Sequence, residues 1–176
     1  SNKEFQTYAT DKTLFGEHPS PSLKKNKINF ASGSLGHGIG YASGVAYSNK
    51  LKKVSGKSFV LIGDGELNEG SCWESIMLAA KLKLDNLYVF IDYNKWQATG
   101  RSNQILELEP LKEKLKSFGW ASAEVNGHDI EKVIKTIKVL EKKSGKPKII
   151  IAHTIKGKGV SFMEDDNNWH YRSPTN

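Results

Sequence analysis

Two stretches of sequence decide the fold: residues 58–65 read SFVLIGDG and residues 87–94 read LYVFIDYN. Each begins with a short, continuous run of apolar residues, many of them β-branched or aromatic, which predicts strands at Ser58–Ile62 and Leu87–Asp92. Continuous rather than alternating apolar character favours burial on both faces of a parallel sheet. The segment between them, Glu69–Leu82, has apolar residues at helical spacing, so the whole stretch predicts a strand–helix–strand unit.

The alternation of strands and helices continues on both sides of this unit. The same patterns predict two further strands and three further helices: strands Ala121–Val125 and Lys148–Ala152, and helices Leu35–Lys53, Pro110–Phe118 and Asp129–Lys143. Proline suits the first position of a helix, and Asp129 is placed to cap the helix that it begins. This order predicts one α/β domain, an open, mostly parallel, twisted sheet with helices on both faces.

Length and composition indicate a single globular domain and exclude several classes of protein. The chain has 176 residues, of which 38% are hydrophobic and 16 are glycine, enough to bury a core. Its one cysteine, Cys72, excludes an internal disulfide and a cysteine-based metal cluster, and favours a cytoplasmic protein. No apolar run is long enough to span a membrane. The two ends, Ser1–Lys27 and Gly157–Asn176, lack clear periodicity and are predicted to be extended loops.

The chain is basic, but the type of basic residue argues against nucleic acid as a partner. Lys and Arg total 26 against 19 Asp and Glu, which gives a net charge of +7. The arginines are only Arg101 and Arg172, although bidentate recognition of bases and phosphates favours arginine. The lysines are spread along the chain, mostly at spacings typical of solvated helix faces, so we expect no binding of nucleic acid.

Polar residues follow the two strands of the central unit. Gly63-Asp64-Gly65 follows the first strand, and Asp92-Tyr93-Asn94 follows the second. Because ligands of parallel sheets bind beyond the carboxyl ends of the strands, we expect Asp64 and Asn94 at the same edge. Carboxylate and amide oxygens suit Mg²⁺ or Ca²⁺, while glycines and a following helix N-terminus suit a phosphate. A Gly-Asp-Gly alone is more often a simple turn, but the partner Asn94 favours a metal-bridged diphosphate site.

The longer sequence around these residues resembles a known cofactor motif. Gly63–Gly70 reads GDGELNEG, and 28 residues separate Gly65 from Asn94. This pattern resembles the thiamine diphosphate motif, which begins with GDG and ends with Asn about that far downstream. Three further segments, in order along the chain, are similar to transketolase sequences: His18-Pro19, Gly33–Gly38 (GSLGHG) and Ile155–His170. The sequence therefore resembles the thiamine-diphosphate-binding domain of transketolases, closest to the type encoded as a separate N-terminal subunit.

The resemblance implies which residues bind the cofactor and its metal. Asp64, Asn94 and the main-chain carbonyl of Trp96 match the ligands of the Mg²⁺ or Ca²⁺ ion. Gly65 matches a backbone donor to the diphosphate of thiamine diphosphate. Gly33 and Leu35 match the segment that contacts the aminopyrimidine ring.

The resemblance also implies three residues with catalytic roles. His170 matches a histidine near the diphosphate that borders the substrate, and His18 matches a histidine that contacts the substrate. Glu69 matches a buried glutamate in a carboxylate network across the subunit interface, which links paired active sites. Taken alone, Glu69 would be an ordinary first-turn glutamate and His170 an ordinary loop histidine.

The resemblance implies the transfer of a two-carbon ketol unit from a ketose to an aldose. The family's pyrimidine-binding domain is absent from these 176 residues, as is part of the segment upstream of the match. We therefore expect a chain that is inactive alone and assembles with a pyrimidine-domain subunit, as a dimer or heterotetramer acting on sugar phosphates or related sugars. The alternatives are another thiamine diphosphate enzyme, of the type that condenses pyruvate with an aldehyde, and a non-catalytic binding module of the same fold.

Overall fold

A four-stranded, entirely parallel sheet forms the centre of the fold. The computed structural model describes residues 6–8, 10–11, 13, 18–21, 28 and 30–172, so most of the predicted N-terminal loop, Ser1–Lys27, lies outside the described residues. The strands of the sheet are β1 (Ser58–Gly63), β2 (Leu87–Tyr93), β5 (Ala121–Asn126) and β6 (Lys148–His153), in the spatial order β1–β2–β6–β5. A short antiparallel hairpin follows β2 and consists of β3 (Trp96–Gln97) and β4 (Gly100–Arg101).

Helices connect the strands and cover both faces of the sheet. They are α1 (His37–Leu51), α2 (Gly70–Lys81), α3 (Ser102–Ile105), α4 (Leu111–Ser117) and α5 (Ile130–Glu141), with 3₁₀ helices at Asp64–Asn68 and Asn167–His170. Each helix and strand predicted from the sequence is present, with ends that differ by at most two residues. The predicted α/β fold with a parallel sheet is therefore confirmed.

The two faces of the sheet carry two separate cores. On one face, α1, α2 and α4 pack against the strands through fully buried residues such as Ile39, Ile76 and Leu115. On the other face, α5 packs against β5 and β6, with Leu140 against Ile150 and its neighbours. Nothing among the described helices is both long and apolar enough to cross a bilayer.

The outer face of β1 departs from the sequence expectation. Continuous apolar character in Ser58–Ile62 favoured burial on both faces, but Phe59 and Leu61 are 57% and 71% exposed. The physical reason is position: β1 is an edge strand, and α5 covers the same face of the sheet at the other edge, over β5 and β6. The sequence shows that a strand is apolar, but it does not show whether another element of the fold packs over that strand.

Candidate functional site

The carboxyl ends of three neighbouring strands meet at one edge of the sheet. Gly63 of β1 lies beside Asp92 of β2, and Tyr93 of β2 lies beside His153 of β6. The residues that follow the strands therefore start from the same edge. The backbone N–H of Lys95, next to Asn94, donates to the Asp64 carboxylate at 2.9 Å. The sequence expectation that the segments carrying Asp64 and Asn94 would meet agrees with this contact.

Asp64 is a buried carboxylate surrounded by neutral donors. Its side chain follows β1 into the first 3₁₀ helix and is 1% exposed. One oxygen accepts from the Lys95 N–H and from the Ser102 hydroxyl at 2.8 Å, and the other accepts from the Gly65 N–H at 3.0 Å. Burial raises the pKa of Asp64 above its ordinary value, although the three hydrogen bonds oppose this effect. The site therefore holds a carboxylate whose charge these partners do not neutralise.

Asn94 lies in the turn after β2 and is held at both ends of its amide. Its side-chain oxygen accepts from the Trp96 N–H at 2.9 Å, and its Nδ2 donates to Asp92 at 3.4 Å. Asp92 also accepts from the hydroxyl of Thr154, which follows β6. These contacts fix which way the amide points, and the oxygen keeps a free lone pair.

The oxygen donors among the predicted site residues suit a hard divalent cation. A carboxylate, an amide oxygen and the carbonyl of Trp96 form the type of donor set that Mg²⁺ and Ca²⁺ prefer. The described residues contain no cluster of three or more His, Cys, Asp or Glu that could hold a metal ion. One carboxylate with few protein ligands is typical of Mg²⁺ sites that are completed by water and substrate phosphates. The buried charge of Asp64 and the donor chemistry therefore both fit the ion implied by the sequence.

Glu66 joins the GDG turn to the GSLGHG segment, a role that the sequence analysis missed. Its two carboxylate oxygens accept from the N–H of Gly63 at 3.0 Å and the N–H of Gly36 at 3.1 Å. Gly36 has φ +81°, and an added Cβ there would lie 2.6 Å from the Cβ of Glu69. Only glycine fits this position without displacing its neighbours. In sequence, Glu66 is indistinguishable from any glutamate that begins a helix.

The other residues singled out from the sequence lie at several points around this edge. Gly33 lies beside His18, since a Cβ added at Gly33 would be 3.5 Å from Cγ of His18. The side chain of Leu35 is 56% exposed. Glu69 immediately precedes α2 and is exposed in this single chain, whereas the resemblance implied a glutamate buried at a subunit interface.

His170 ends the second 3₁₀ helix and contacts a lysine. Its Nδ1 lies 3.2 Å from Nζ of Lys156. Partial burial and the neighbouring Lys156 charge lower the pKa of His170, which favours a neutral imidazole. Lys156 was not singled out in the sequence analysis, because a lysine in a lysine-rich chain carries no distinguishing signal.

A cleft of about 630 Å³ opens at this edge on the side of the sheet that α5 covers. Its lining includes Asp92, Asn94, Thr154, Lys156 and Gly157. Clefts of several hundred cubic ångströms are typical of cofactor sites, and this one lies at the position expected for parallel sheets. Of the candidate site residues, Asn94 lines this concave space, together with Lys156, which contacts His170.

Comparisons with known proteins give the family. Residues 3–173 match the family described as "Transketolase, thiamine diphosphate binding domain". The chain is 38% identical over 163 residues to a subunit of the apulose-4-phosphate transketolase from Phocaeicola vulgatus, covering 93% of this chain and 57% of that protein. It is 41% identical over 158 residues to the protein of the same name from Actinobacillus succinogenes, covering 90% and 55% respectively. The chain therefore spans a little over half the length of these relatives.

Another relative and a solved structure agree with this result. The chain is 39% identical over 137 residues to a 6-deoxy-6-sulfo-D-fructose transketolase subunit from a Clostridium species, covering 78% of this chain and 50% of that protein. The crystal structure of a transketolase from Campylobacter jejuni matches with a TM-score of 0.86 and 29% identity, covering 96% of this chain and 27% of that one. From its sequence and its fold, this chain belongs to the transketolase family and carries the family's thiamine-diphosphate-binding domain.

Proposed function

We propose that this chain supplies the diphosphate- and metal-binding half of a transketolase active site, in an enzyme that moves a two-carbon ketol unit from a ketose to an aldose. One observation carries the proposal: the Asp64 carboxylate is 1% exposed and accepts from two backbone amides and one hydroxyl. A buried carboxylate without a positive partner is costly, so a cation at this position would stabilise it. A cation beside a glycine-rich turn would in turn attract a diphosphate.

The metal-binding residues of the proposal are Asp64 and Asn94, through their side chains, and Trp96, through its carbonyl. The cation is Mg²⁺ or Ca²⁺, because all three donors are hard oxygen atoms. Gly65 has no side chain, which lets a diphosphate approach the backbone closely. The Ser102 hydroxyl and the Lys95 N–H hold the Asp64 carboxylate in place by hydrogen bonds.

The remaining residues of the proposal bind the cofactor ring and the substrate. Gly33 and Leu35 border the aminopyrimidine, while His18 and His170 contact the substrate and the diphosphate. When bound, thiamine diphosphate supplies a nucleophilic carbon and an electron sink for breaking a carbon–carbon bond. His18 and His170 then donate hydrogen bonds to substrate oxygens and move protons at those atoms.

A partner chain completes this proposed active site. The relatives from Phocaeicola and Actinobacillus are each named as one subunit of a transketolase, which supports an enzyme divided between two chains. We propose that a pyrimidine-binding subunit pairs with this one, in a dimer or heterotetramer where Glu69 lies at the interface, and that this chain alone has no activity. The substrates are sugars with an anionic group, as in the phosphate and sulfo sugars that name the relatives.

The first test measures binding of thiamine diphosphate by calorimetry, with Mg²⁺ and with EDTA, in this chain and in its complex with the pyrimidine-domain subunit. Asp64→Ala should weaken Mg²⁺-dependent binding by at least about 100-fold, because it removes the metal's only carboxylate ligand in the proposal. The matched control is Asp85→Ala, which removes a carboxylate at the opposite end of the sheet and should leave binding within about twofold. Equal binding by wild type and Asp64→Ala in the complex would contradict the proposed metal site.

The second test separates the proposed activity from its alternatives. The complex, loaded with Mg²⁺ and thiamine diphosphate, is supplied with ketose–aldose pairs and, separately, with pyruvate and an aldehyde. Turnover of a ketose–aldose pair supports ketol transfer, whereas consumption of pyruvate identifies a condensing synthase. Cofactor binding without turnover in either assay would identify a non-catalytic binding module.

A further inference from the structure

Residues 156–170, here called the His170 loop, form a compact unit held by its own contacts. The Asp165 N–H donates to the Lys156 carbonyl at 2.8 Å, and Nζ of Lys156 lies 3.2 Å from Nδ1 of His170, so the two ends of the loop lie close together. The indole N–H of Trp169 donates to the Phe162 carbonyl at 3.0 Å, and the two rings meet edge to face. Loops whose ends meet and whose side chains pack against one another form compact units. The position of His170 therefore depends on how the whole loop is docked.

The His170 loop docks on the β3–β4 hairpin mainly through the Asp165 carboxylate. Arg101 donates to both oxygens of Asp165, at 2.8 and 2.6 Å, in a bidentate pair. The indole N–H of Trp96 donates to the same carboxylate at 2.9 Å. The Arg101 guanidinium also stacks 3.7 Å above the Trp96 ring, so the three side chains form a closed set. Nearby, Asn167 donates to the Ala98 carbonyl at 3.1 Å.

We propose that Arg101, Asp165 and the Trp96 indole form a clamp that sets the distance between the metal-binding turn and His170. This inference rests on the proposed function, in which the Trp96 carbonyl binds the metal and His170 borders the diphosphate. Arg101 and Asp165 are positioning residues, since they act through Trp96 and the loop and not on the cofactor itself. The clamp joins segments that lie 64 residues apart in sequence.

The geometry of the clamp points to positioning and not to general stability. Asp165 is 54% exposed and Arg101 is 32% exposed, and exposed ion pairs usually contribute little to folding. A bidentate pair with a stacked guanidinium nevertheless fixes orientation much better than a single contact between flexible chains. The indole of Trp96 adds a third donor, from the residue whose carbonyl is a proposed metal ligand. Outer contacts of this kind are known to tune metal affinity about 10- to 100-fold.

The test uses variants of the full complex with the pyrimidine-domain subunit, and it measures Mg²⁺-dependent binding of thiamine diphosphate. Arg101→Ala and Asp165→Ala should each weaken binding about tenfold, and the double variant should be no worse than either one. Arg101→Lys should fall between Arg101→Ala and wild type, because lysine keeps the charge but loses the bidentate and stacked geometry. Lys158→Ala is the matched control, since Lys158 pairs with Glu164 inside the same loop and does not contact the hairpin.

Hydrogen exchange provides the readout that distinguishes positioning from folding. Exchange in residues 157–164 and 96–101 should rise together in Arg101→Ala, while the melting temperature shifts no more than in Lys158→Ala. Binding of thiamine diphosphate by Arg101→Ala as tight as by wild type would overturn the clamp. Failure of the wild-type complex to bind thiamine diphosphate would instead overturn the proposed function, so the two failures are distinct.

Discussion

The two ends of the parallel sheet each bury a charged side chain, with different partners around it. At the amino end, Lys148 is 2% exposed, donates to the Asp85 carbonyl and lies 5.5 Å from the centre of the Tyr88 ring. Asp85 itself pairs with Lys50 at 2.9 Å. At the carboxyl end, the buried Asp64 accepts hydrogen bonds from two backbone amides and one hydroxyl, all of them neutral donors. At the amino end, the nearby carboxylates of Asp85 and Glu141 partly offset the cost of burying the Lys148 charge. At the carboxyl end, no cationic side chain of the described residues contacts the Asp64 carboxylate, where we propose a cation.

The largest effect on stability is expected at the amino end. Lys148→Ala should lower the free energy of unfolding by about 2 kcal/mol, because it removes a packed side-chain stem and a buried hydrogen bond. Lys148→Met should stay within about 1 kcal/mol of wild type, since it keeps the stem and removes a charge whose burial lowers the pKa of Lys148. Chemical denaturation measures both.

Binding of thiamine diphosphate should be unchanged in both Lys148 variants, because Lys148 lies at the end of the sheet opposite the proposed cofactor site. A Met variant as unstable as the Ala variant would mean that the charge, and not the packing of the stem, provides the stability.

The carboxyl end should respond more weakly in stability. Asp64→Asn keeps the shape of the side chain and removes its uncompensated charge, so the cofactor-free chain should stay within about 1 kcal/mol of wild type. Denaturation in the presence of EDTA provides the measurement. A loss of more than about 3 kcal/mol would show that the carboxylate is needed for folding, and the contrast between the two ends would then disappear.

The smallest effect is expected at an exposed carboxylate near the carboxyl end. Asp129 caps α5 by accepting from the Lys132 N–H at 3.0 Å, and its ion pair with Lys132 adds to this. Both contacts hold the pKa of Asp129 below 3.8, so its contribution to stability is complete above that pH and is lost as the pH falls through the lowered value.

Asp129→Ala should therefore lower the melting temperature slightly at pH 7, and the difference from wild type should shrink in strong acid. Asp129→Ser keeps a neutral cap, so its melting temperature should lie between those of the other two proteins at pH 7. A difference between wild type and Asp129→Ala that stays constant down to pH 2 would contradict the capping role.

Local patterns in the sequence predicted the regular elements well. Apolar runs located β1, β2, β5 and β6, each of which continues one residue beyond its predicted end. Asp129 was expected to cap the last long helix, and it does. The hairpin Trp96–Arg101 and the short helix Ser102–Ile105 were missed, because segments of two to four residues show no periodicity.

Contacts between distant residues could not be predicted from the same patterns. Ser102 donates to Asp64 across 38 positions, and Arg101 pairs with Asp165 across 64. No spacing rule links such pairs, because they come together only when the strands align side by side in the folded sheet. The exposed outer face of β1 was missed for a related reason, because the cover of a strand is decided by elements elsewhere in the chain.

The close approach at Gly36 has a consequence for how this protein can change over time. Any side chain at position 36 would collide with Glu69, and the backbone N–H of Gly36 donates to the Glu66 carboxylate. The GSLGHG and GDGELNEG motifs therefore cannot change independently in evolution, because a substitution in one must be accommodated by the other. Recombination that exchanges either segment between distant homologues should succeed mainly when both segments are inherited from the same parent.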